Sequence, residues 1–270
     1  MHKVVLVICD GLGYGIARDW LGYLEGLVEA GEASLWKGIA QLPTNSRPNY
    51  ESLLTGLAPA RHGIVANEMH GVGSSSPNLF GLAKDGGRTT GAVAYHWFPE
   101  LYNTGRVFDP LADVECDDDS LPISHGRFYF TDDHPDEHVF ATAAHLTAAR
   151  MPDFLLVHPM GIDHAGHTHG MESDEYRLQV KKQDVILSLT IPMWRALGYR
   201  VLVTADHGHG PHRQHGGATD VEREVPIYLV DGSRHAVGDE VSTLRVAPTV
   251  LRLLDLAVPD SMEEPPLVGG

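Results

Sequence analysis

The sequence predicts an α/β fold with a central, mostly parallel β-sheet flanked by helices on both faces. Three observations carry this expectation. Short β-branched runs recur along the chain, and most are continuously apolar rather than alternating, the pattern of strands buried on both faces. Segments of helical spacing separate them, and strands alternating with helices indicate a parallel sheet covered on both sides. Three of the runs end at an aspartate, at the strand ends beyond which open parallel sheets bind their ligands.

The first run, KVVLVIC (3–9), ends at Asp10. A helix is expected over 16–30, where Ile16, Trp20, Leu24, Leu27 and Val28 recur at helical spacing. The segment QLPTNSRPNYESLLTG (41–56) reads as an extended approach fixed by Pro43, then a helix over 45–55 with Thr44 at its start. TGAVAY (90–95) is the next strand. The stretch 104–133, with DPLADVECDDDS and GRFYFTDD, reads either as an irregular excursion or small cap over one edge, or as a solvated acidic loop. An alanine-rich helix over 136–150 leads to the strand DFLLVH (153–158). The long periodic segment 172–197 is a helix in which Pro192 predicts a kink. RVLVTA (200–205) and VPIYLV (225–230) are strands, 243–254 is a last helix, and the tail after Pro259 is irregular. No linker rich in Pro, Gly or Ser divides the chain, so residues 1–270 are expected to form one domain.

With 270 residues and 43% hydrophobic content, the chain can bury a sizeable core, and wholesale disorder is excluded. Acidic residues number 36 against 20 basic, a net charge of −16. That balance argues against a nucleic-acid polymer or an acidic membrane as partner. Cys9 and Cys116 make no disulfide framework and no CxxC motif. No apolar run approaches membrane length, so no membrane partner and a cytoplasmic location are expected.

The chemistry collects at the strand ends. Asp10 follows the first run, Asp163 follows DFLLVHPMGI with His167 four residues on, and Asp206 and His207 follow RVLVTA. One aspartate after a strand is usually a cap or turn former. Three together, two with a histidine partner, are hard to explain as caps. Their oxygen and nitrogen donors suit zinc, with manganese or iron as alternatives. Close pairs of such ions clamp the attacking and leaving oxygens of a phosphoryl displacement. The stretch TADHGHGPHRQHGG (204–217) adds His209, His212 and His215 beside His207. Thr44 offers a nucleophile: on its own segment it reads as an N-cap, yet a hydroxyl at a helix N-terminus is also well placed to meet a phosphate.

PTNSRPN (43–49) closely resembles the nucleophile motif, Pro-Thr-x-Thr/Ser-x-Pro-Asn, of the nucleotide pyrophosphatase/phosphodiesterase branch of the alkaline phosphatase superfamily. Its companions follow in order: Asp10-Gly11, RHGIVANE (61–68), GIDHAGHTHG (161–170) and TADHGHG (204–210), so the resemblance spans roughly 3–217. It implies an alkaline-phosphatase-like fold and a two-metal phosphohydrolase cleaving phosphodiester or pyrophosphate bonds in a small-molecule substrate. The reaction would pass through a covalent phosphothreonine on Thr44. The resemblance places Asp10, Thr44, Asp206 and His207 around one divalent ion, and Asp163, His167 and a late histidine around the other. The ions would be Zn2+, with Mn2+ as the alternative. His215 is the late histidine, because HGG matches a family ending. Asn67 corresponds to the asparagine that donates to a phosphoryl oxygen. The close spacing of His215 departs from nucleotide pyrophosphatases, whose third ligand lies far downstream. It looks more like phosphoethanolamine transferases of lipid-anchor synthesis, although their membrane spans have no counterpart in this sequence.

His164, His169, His209 and His212 lie off the pattern and read as supporting or solvent-facing. GLGYG (11–15) lacks the full spacing of a dinucleotide loop. Lys181 and Lys182 read as solvated, and Asp184 as either a structural hydrogen-bond acceptor or a site residue. Rival specificities are a phosphomonoesterase, a phosphonoacetate-type C–P hydrolase or a phosphotransferase. The C–P hydrolase would use lysines, but the chain has five and only Lys84 lies in the variable middle. A non-enzymatic metal-binding relative would have lost the nucleophile or a ligand, and neither is lost. Diesters are expected over monoesters, given the net charge and the neutral Asn67. Arg47 stands against this if it reaches the phosphate, whereas Arg61 reads as a turn or ion-pair residue.

Overall fold

Alternation along β1 (Lys3–Ile8) explains the architecture of the computed structural model, which describes residues 2–269. Val5 and Val7 point to one apolar core, and Val4, Leu6 and Ile8 to a second on the opposite face. Both faces therefore need cover. The helices Tyr14–Trp20, Gly22–Glu29, Asp136–Arg150 and Asp174–Ala196 supply it on the first side. Ser46–Thr55, Leu79–Asp85 and Val246–Leu253 supply it on the second.

The remaining strands are β2 (Ala33–Ile39), β3 (Thr90–Tyr95), β4 (Glu115–Asp117), β5 (His125–Tyr129), β6 (Phe154–Val157), β7 (Tyr199–Thr204), β8 (Glu224–Val230) and β9 (Val237–Ser242). They form one sheet in the order β4-β5-β3-β6-β1-β7-β8-β2-β9. Only β4 and β8 run against the others, so the sheet is mostly parallel. The carboxyl ends of β1, β2, β6 and β7 therefore lie along one edge. β1 sits between β6 and β7, so the chain leaves it in the middle of that edge.

All five expected apolar runs are strands. β2, β4, β5 and β9 were not expected, because Ser34, Lys37 and Gly38 interrupt β2 and the other three are rich in polar residues. The stretch 104–133 contributes β4 and β5 to the outer edge of the same sheet. The expected helix over 16–30 is divided at Leu21. Asp184 explains part of that division: its carboxylate accepts from the Tyr23 N–H at 3.0 Å, in the first turn of the second helix, so its role is structural. The helix Asp174–Ala196 continues through Pro192. Among the described residues, no helix is long and apolar enough to cross a membrane.

Candidate two-metal phosphoester site

The loops leaving β1, β2 and β7 build the first half of the site. Asp10 follows β1, and Asp206 and His207 follow β7; all three are fully buried. His207 Nε2 lies 3.2 Å from Asp206 Oδ2 and 3.5 Å from Asp10 Oδ1. Ser46, the first residue of the helix Ser46–Thr55 after β2, places its Oγ 3.0 Å from His207 Nε2. Gly11 allows this packing. Its φ of +74° suits glycine, and a Cβ there would meet the Asp163 Cα at 2.8 Å.

The second half comes from the helix Gly161–His169 after β6 and from the 208–217 loop. Asp163 and His167 lie one turn apart, and His167 Nε2 is 3.4 Å from Asp163 Oδ2. His215 Nε2 is 3.1 Å from His167 Nε2 and 3.6 Å from Asp163 Oδ1. His209 joins them, with Nε2 at 2.7 Å from Asp163 Oδ1. In each half, one ligand-type atom per residue lies within 4.8 Å of the others, the halves being Asp10, Asp206 and His207, and Asp163, His167, His209 and His215.

The orientation of these groups fits two cations. Tyr50 and His158 hold Asp10 Oδ2, and the Gly11 N–H donates to Asp206 Oδ1 at 3.2 Å. Asp10 Oδ1 and Asp206 Oδ2 are then buried without a hydrogen-bond partner, a costly state unless another group binds them. The Nδ1 atoms of His207, His167 and His215 donate to the carbonyls of Gly208, Arg213 and Thr44 at 3.0, 2.9 and 2.8 Å. This arrangement leaves each Nε2 with a free lone pair, the usual support of a metal-binding imidazole. Two such lone pairs 3.1 Å apart, on His167 and His215, repel unless a positive centre lies between them.

Electrostatics agree. Burial raises the Asp163 carboxyl, and the Asp10 charge adds to it. Asp206 is raised well above the carboxylate range by burial, then by Asp10 and Asp163. Burial would raise Asp10 too, but the hydrogen bond from His158 and the charges of His207 and His158 outweigh it and hold it low. Burial lowers His207, His209 and His215, which favours the neutral form that binds a metal.

Thr44 does not present its hydroxyl to either cluster. Its Oγ1 donates to the Gly217 carbonyl at 2.8 Å and accepts the Gly216 N–H at 3.0 Å. It pins the 208–217 loop, while Asn45 is the helix N-cap residue and Ser46 opens the helix. The expectation of Thr44 as metal-bound hydroxyl finds no support in these contacts, and Ser46 Oγ is the hydroxyl that lies against His207. Asn67 lies beside Ser46, where its Oδ1 accepts the Arg47 N–H at 3.0 Å and leaves its amide N–H groups free. Arg47 itself is fully buried: its guanidinium donates to Glu100 at 2.9 Å and packs 5.7 Å from the Trp97 ring.

A cavity of about 170 Å³ opens over these groups, lined by Ser46, Asn67, Tyr95, Trp97, Asp132 and Met160 besides Asp163, His167 and His215. Arg61 pairs with Glu263, Lys84 reaches Ser124 Oγ at 3.2 Å, and Lys181 lies over the Trp20 ring. His164 and His169 line a separate cavity with Lys182, and His212 is exposed. Ser46 was legible as the second hydroxyl of PTNSRPN, whereas Tyr50, His158 and Asp132 carry no local signal.

Comparisons with known proteins bear on the family and the fold. Residues 4–232 match the model of the family "Type I phosphodiesterase / nucleotide pyrophosphatase". The chain is 27% identical to rat (Rattus norvegicus) ectonucleotide pyrophosphatase/phosphodiesterase family member 1 over 181 residues, covering 62% of this chain and 19% of that protein. It is 22% identical to the catalytic subunit of human (Homo sapiens) GPI ethanolamine phosphate transferase 3, covering 95% of this chain and 25% of that protein. The chain thus spans only about a fifth to a quarter of these relatives. Its fold aligns with murine ectonucleotide pyrophosphatase/phosphodiesterase 5 at a TM-score of 0.71 and 16% identity, over 96% of each chain. The chain belongs to the type I phosphodiesterase/nucleotide pyrophosphatase family, within the alkaline phosphatase superfamily.

Proposed function

We propose that the protein is a two-metal phosphohydrolase that cleaves phosphodiester or pyrophosphate bonds through a covalent intermediate on Ser46. The observation that carries this reading is the Ser46 Oγ, 3.0 Å from His207 Nε2 at the mouth of a helix and beside Asn67. Asp10, Asp206 and His207 would hold one ion and Asp163, His167 and His215 the other, with Zn2+ favoured by the donor set and Mn2+ the alternative. Bound there, two divalent cations would supply Lewis-acid charge that favours ionised oxygens on the entering and leaving sides.

The chain's own groups do the positioning. Ser46 Oγ gives up its proton to solvent and attacks phosphorus in line, so that its O–P bond forms as the bond to the leaving oxygen breaks and that oxygen departs with the electron pair. Asn67 donates from its amide to a non-bridging oxygen, its own carbonyl fixed by the Arg47 N–H. The helix Ser46–Thr55 starts at the same point, and its dipole adds partial positive charge there. Water then attacks phosphorus, the substituted phosphoryl group leaves as the monoester product, and the departing oxygen takes up a proton to restore the Ser46 hydroxyl.

The substrate is proposed to be a small-molecule diester or pyrophosphate rather than a monoester. Among the described residues, no Lys or Arg lines the cavity, and Asp132 contributes a carboxylate held by the Tyr95 hydroxyl at 2.8 Å. Arg47, the one basic residue next to Ser46, is sequestered by Glu100. A monoester dianion would bring an extra negative charge toward Asp132. Bis-p-nitrophenyl phosphate is therefore expected to show the higher kcat/KM against p-nitrophenyl phosphate under matched metal loading. Asp132→Asn should shift that ratio toward the monoester by roughly two- to fivefold, as for an exposed charge interaction of up to about 1 kcal/mol. A wild-type preference for the monoester contradicts the reading.

A second reading has its own support. The likeness to a GPI ethanolamine phosphate transferase extends over 95% of this chain, and transfer to an alcohol would use the same Ser46 intermediate. Turnover in the presence of added alcohols separates the two, since a transferase forms a new phosphodiester at the expense of free product.

A further inference from the structure

We infer that His209 is a positioning residue for Asp163, tying one carboxylate oxygen so that the other faces the second metal ion. The inference rests on the reading of Asp163 as a metal ligand. It starts from a regularity among the three carboxylates. Asp10 has one oxygen held by Tyr50 and His158, and Asp206 has one held by the Gly11 N–H. In both, the other oxygen is buried and free of protein partners. For Asp163 the corresponding donor is His209, whose Nε2–H reaches Oδ1 at 2.7 Å, while Oδ2 faces His167.

His209 differs from its three neighbours in how its ring is held. His167, His207 and His215 each donate from Nδ1 to a backbone carbonyl and turn Nε2 inward. His209 Nδ1 is buried with no partner. If Nε2 bound an ion, the proton would sit on Nδ1, as a buried donor with nothing to receive it, at a cost. With Nε2 donating to Asp163, the proton is satisfied. The distance also suits a charge-assisted hydrogen bond.

The fold makes room for this contact. His209 is 1% exposed, and its ring lies against Gly166, one residue before His167. A Cβ at Gly166 would stand 2.5 Å from His209 Nε2 and Cδ2. The helix carrying Asp163 and His167 therefore has a gap cut for the ring that holds Asp163.

Supports of this kind are typically worth 10–100-fold in metal affinity. The test is competitive zinc titration of wild type, His209→Ala and His209→Gln against a chromophoric chelator, with Co2+ spectra of each. His209→Ala is expected to weaken the second ion by about 10–100-fold and leave the first unchanged. His209→Gln keeps an N–H donor and is expected to lie within about threefold of wild type, with its Co2+ spectrum unchanged. Gly166→Ala, which displaces the ring without removing it, is expected to reproduce the loss and guards against misfolding of the His209→Ala chain. Unaltered affinity in His209→Ala overturns the inference. So does a Gln variant as weak as the Ala variant with a changed Co2+ spectrum, which would make His209 a ligand. Failure of the wild type itself to bind two ions would instead overturn the proposed two-metal function.

Discussion

Replacing Ser46 with alanine is expected to lower kcat/KM by on the order of 10³–10⁶-fold, while the protein keeps its fold and its metal-binding residues. Ser46 Oγ is the hydroxyl at the Asp10–Asp206–His207 cluster, and losing it removes the covalent route altogether. Thr44→Ala is expected to behave differently. Its hydroxyl both donates to Gly217 and accepts from Gly216, so its loss frees the 208–217 loop at a cost of about 1–3 kcal/mol. Turnover should fall by no more than roughly tenfold, about 1.4 kcal/mol on the barrier, because the Thr44 carbonyl that holds His215 remains. Steady-state kinetics of the two variants, with circular dichroism as a control for folding, checks the order. Equal collapse of both would place the nucleophile assignment in error.

Removing metal with a chelator is expected to abolish turnover and destabilise the fold together. Three aspartates share the centre, and Asp163 and Asp206 are raised partly by the other carboxylates. Saturation at about 100 times Kd would add roughly 2.7 kcal/mol of stability, so the chelated protein should melt about 5–10 °C lower. Restoring Zn2+ should recover both properties. His207→Ala and His215→Ala should each hold about one ion per chain, and His212→Ala should hold two. A melting temperature indifferent to chelator, with no metal in the protein as isolated, would contradict the two-cation reading.

Much of the fold was legible because buried parallel strands are written as uninterrupted apolar runs, as in VVLVI and FLLV. β2 was not, because Lys37 sits in it as an ion-pair partner of Glu224 and Glu240, a contact between distant segments. β5 and β9 lie near the sheet edges, where polar residues are tolerated and the periodic signal fades. At the site, Asp10, Asp163 and Asp206 were visible after strands, and His167 and His207 were visible as their near neighbours. The engagement of the Thr44 hydroxyl away from the ligand clusters was not a local signal. It depends on Gly216 and Gly217, which capture the Thr44 hydroxyl from more than 170 positions away. His209 was set aside because its partner, Asp163, lies 46 positions upstream and the space for its ring comes from a glycine on another helix. In sequence Arg47 stood against the diester preference only if it reached the phosphate; the fold shows Glu100 holding it in the core.

The most direct test of a serine-centred, two-step phosphoryl transfer is to trap the intermediate. The metal-loaded enzyme is mixed with excess bis-p-nitrophenyl phosphate, quenched in acid within the first turnovers, digested and analysed by mass spectrometry. The expected result is a p-nitrophenyl phosphoryl group on the peptide containing PTNSRPN, with fragment ions placing it on Ser46. The same group on Thr44, or released p-nitrophenol matched by no modified peptide under conditions that preserve a serine phosphodiester, would contradict it.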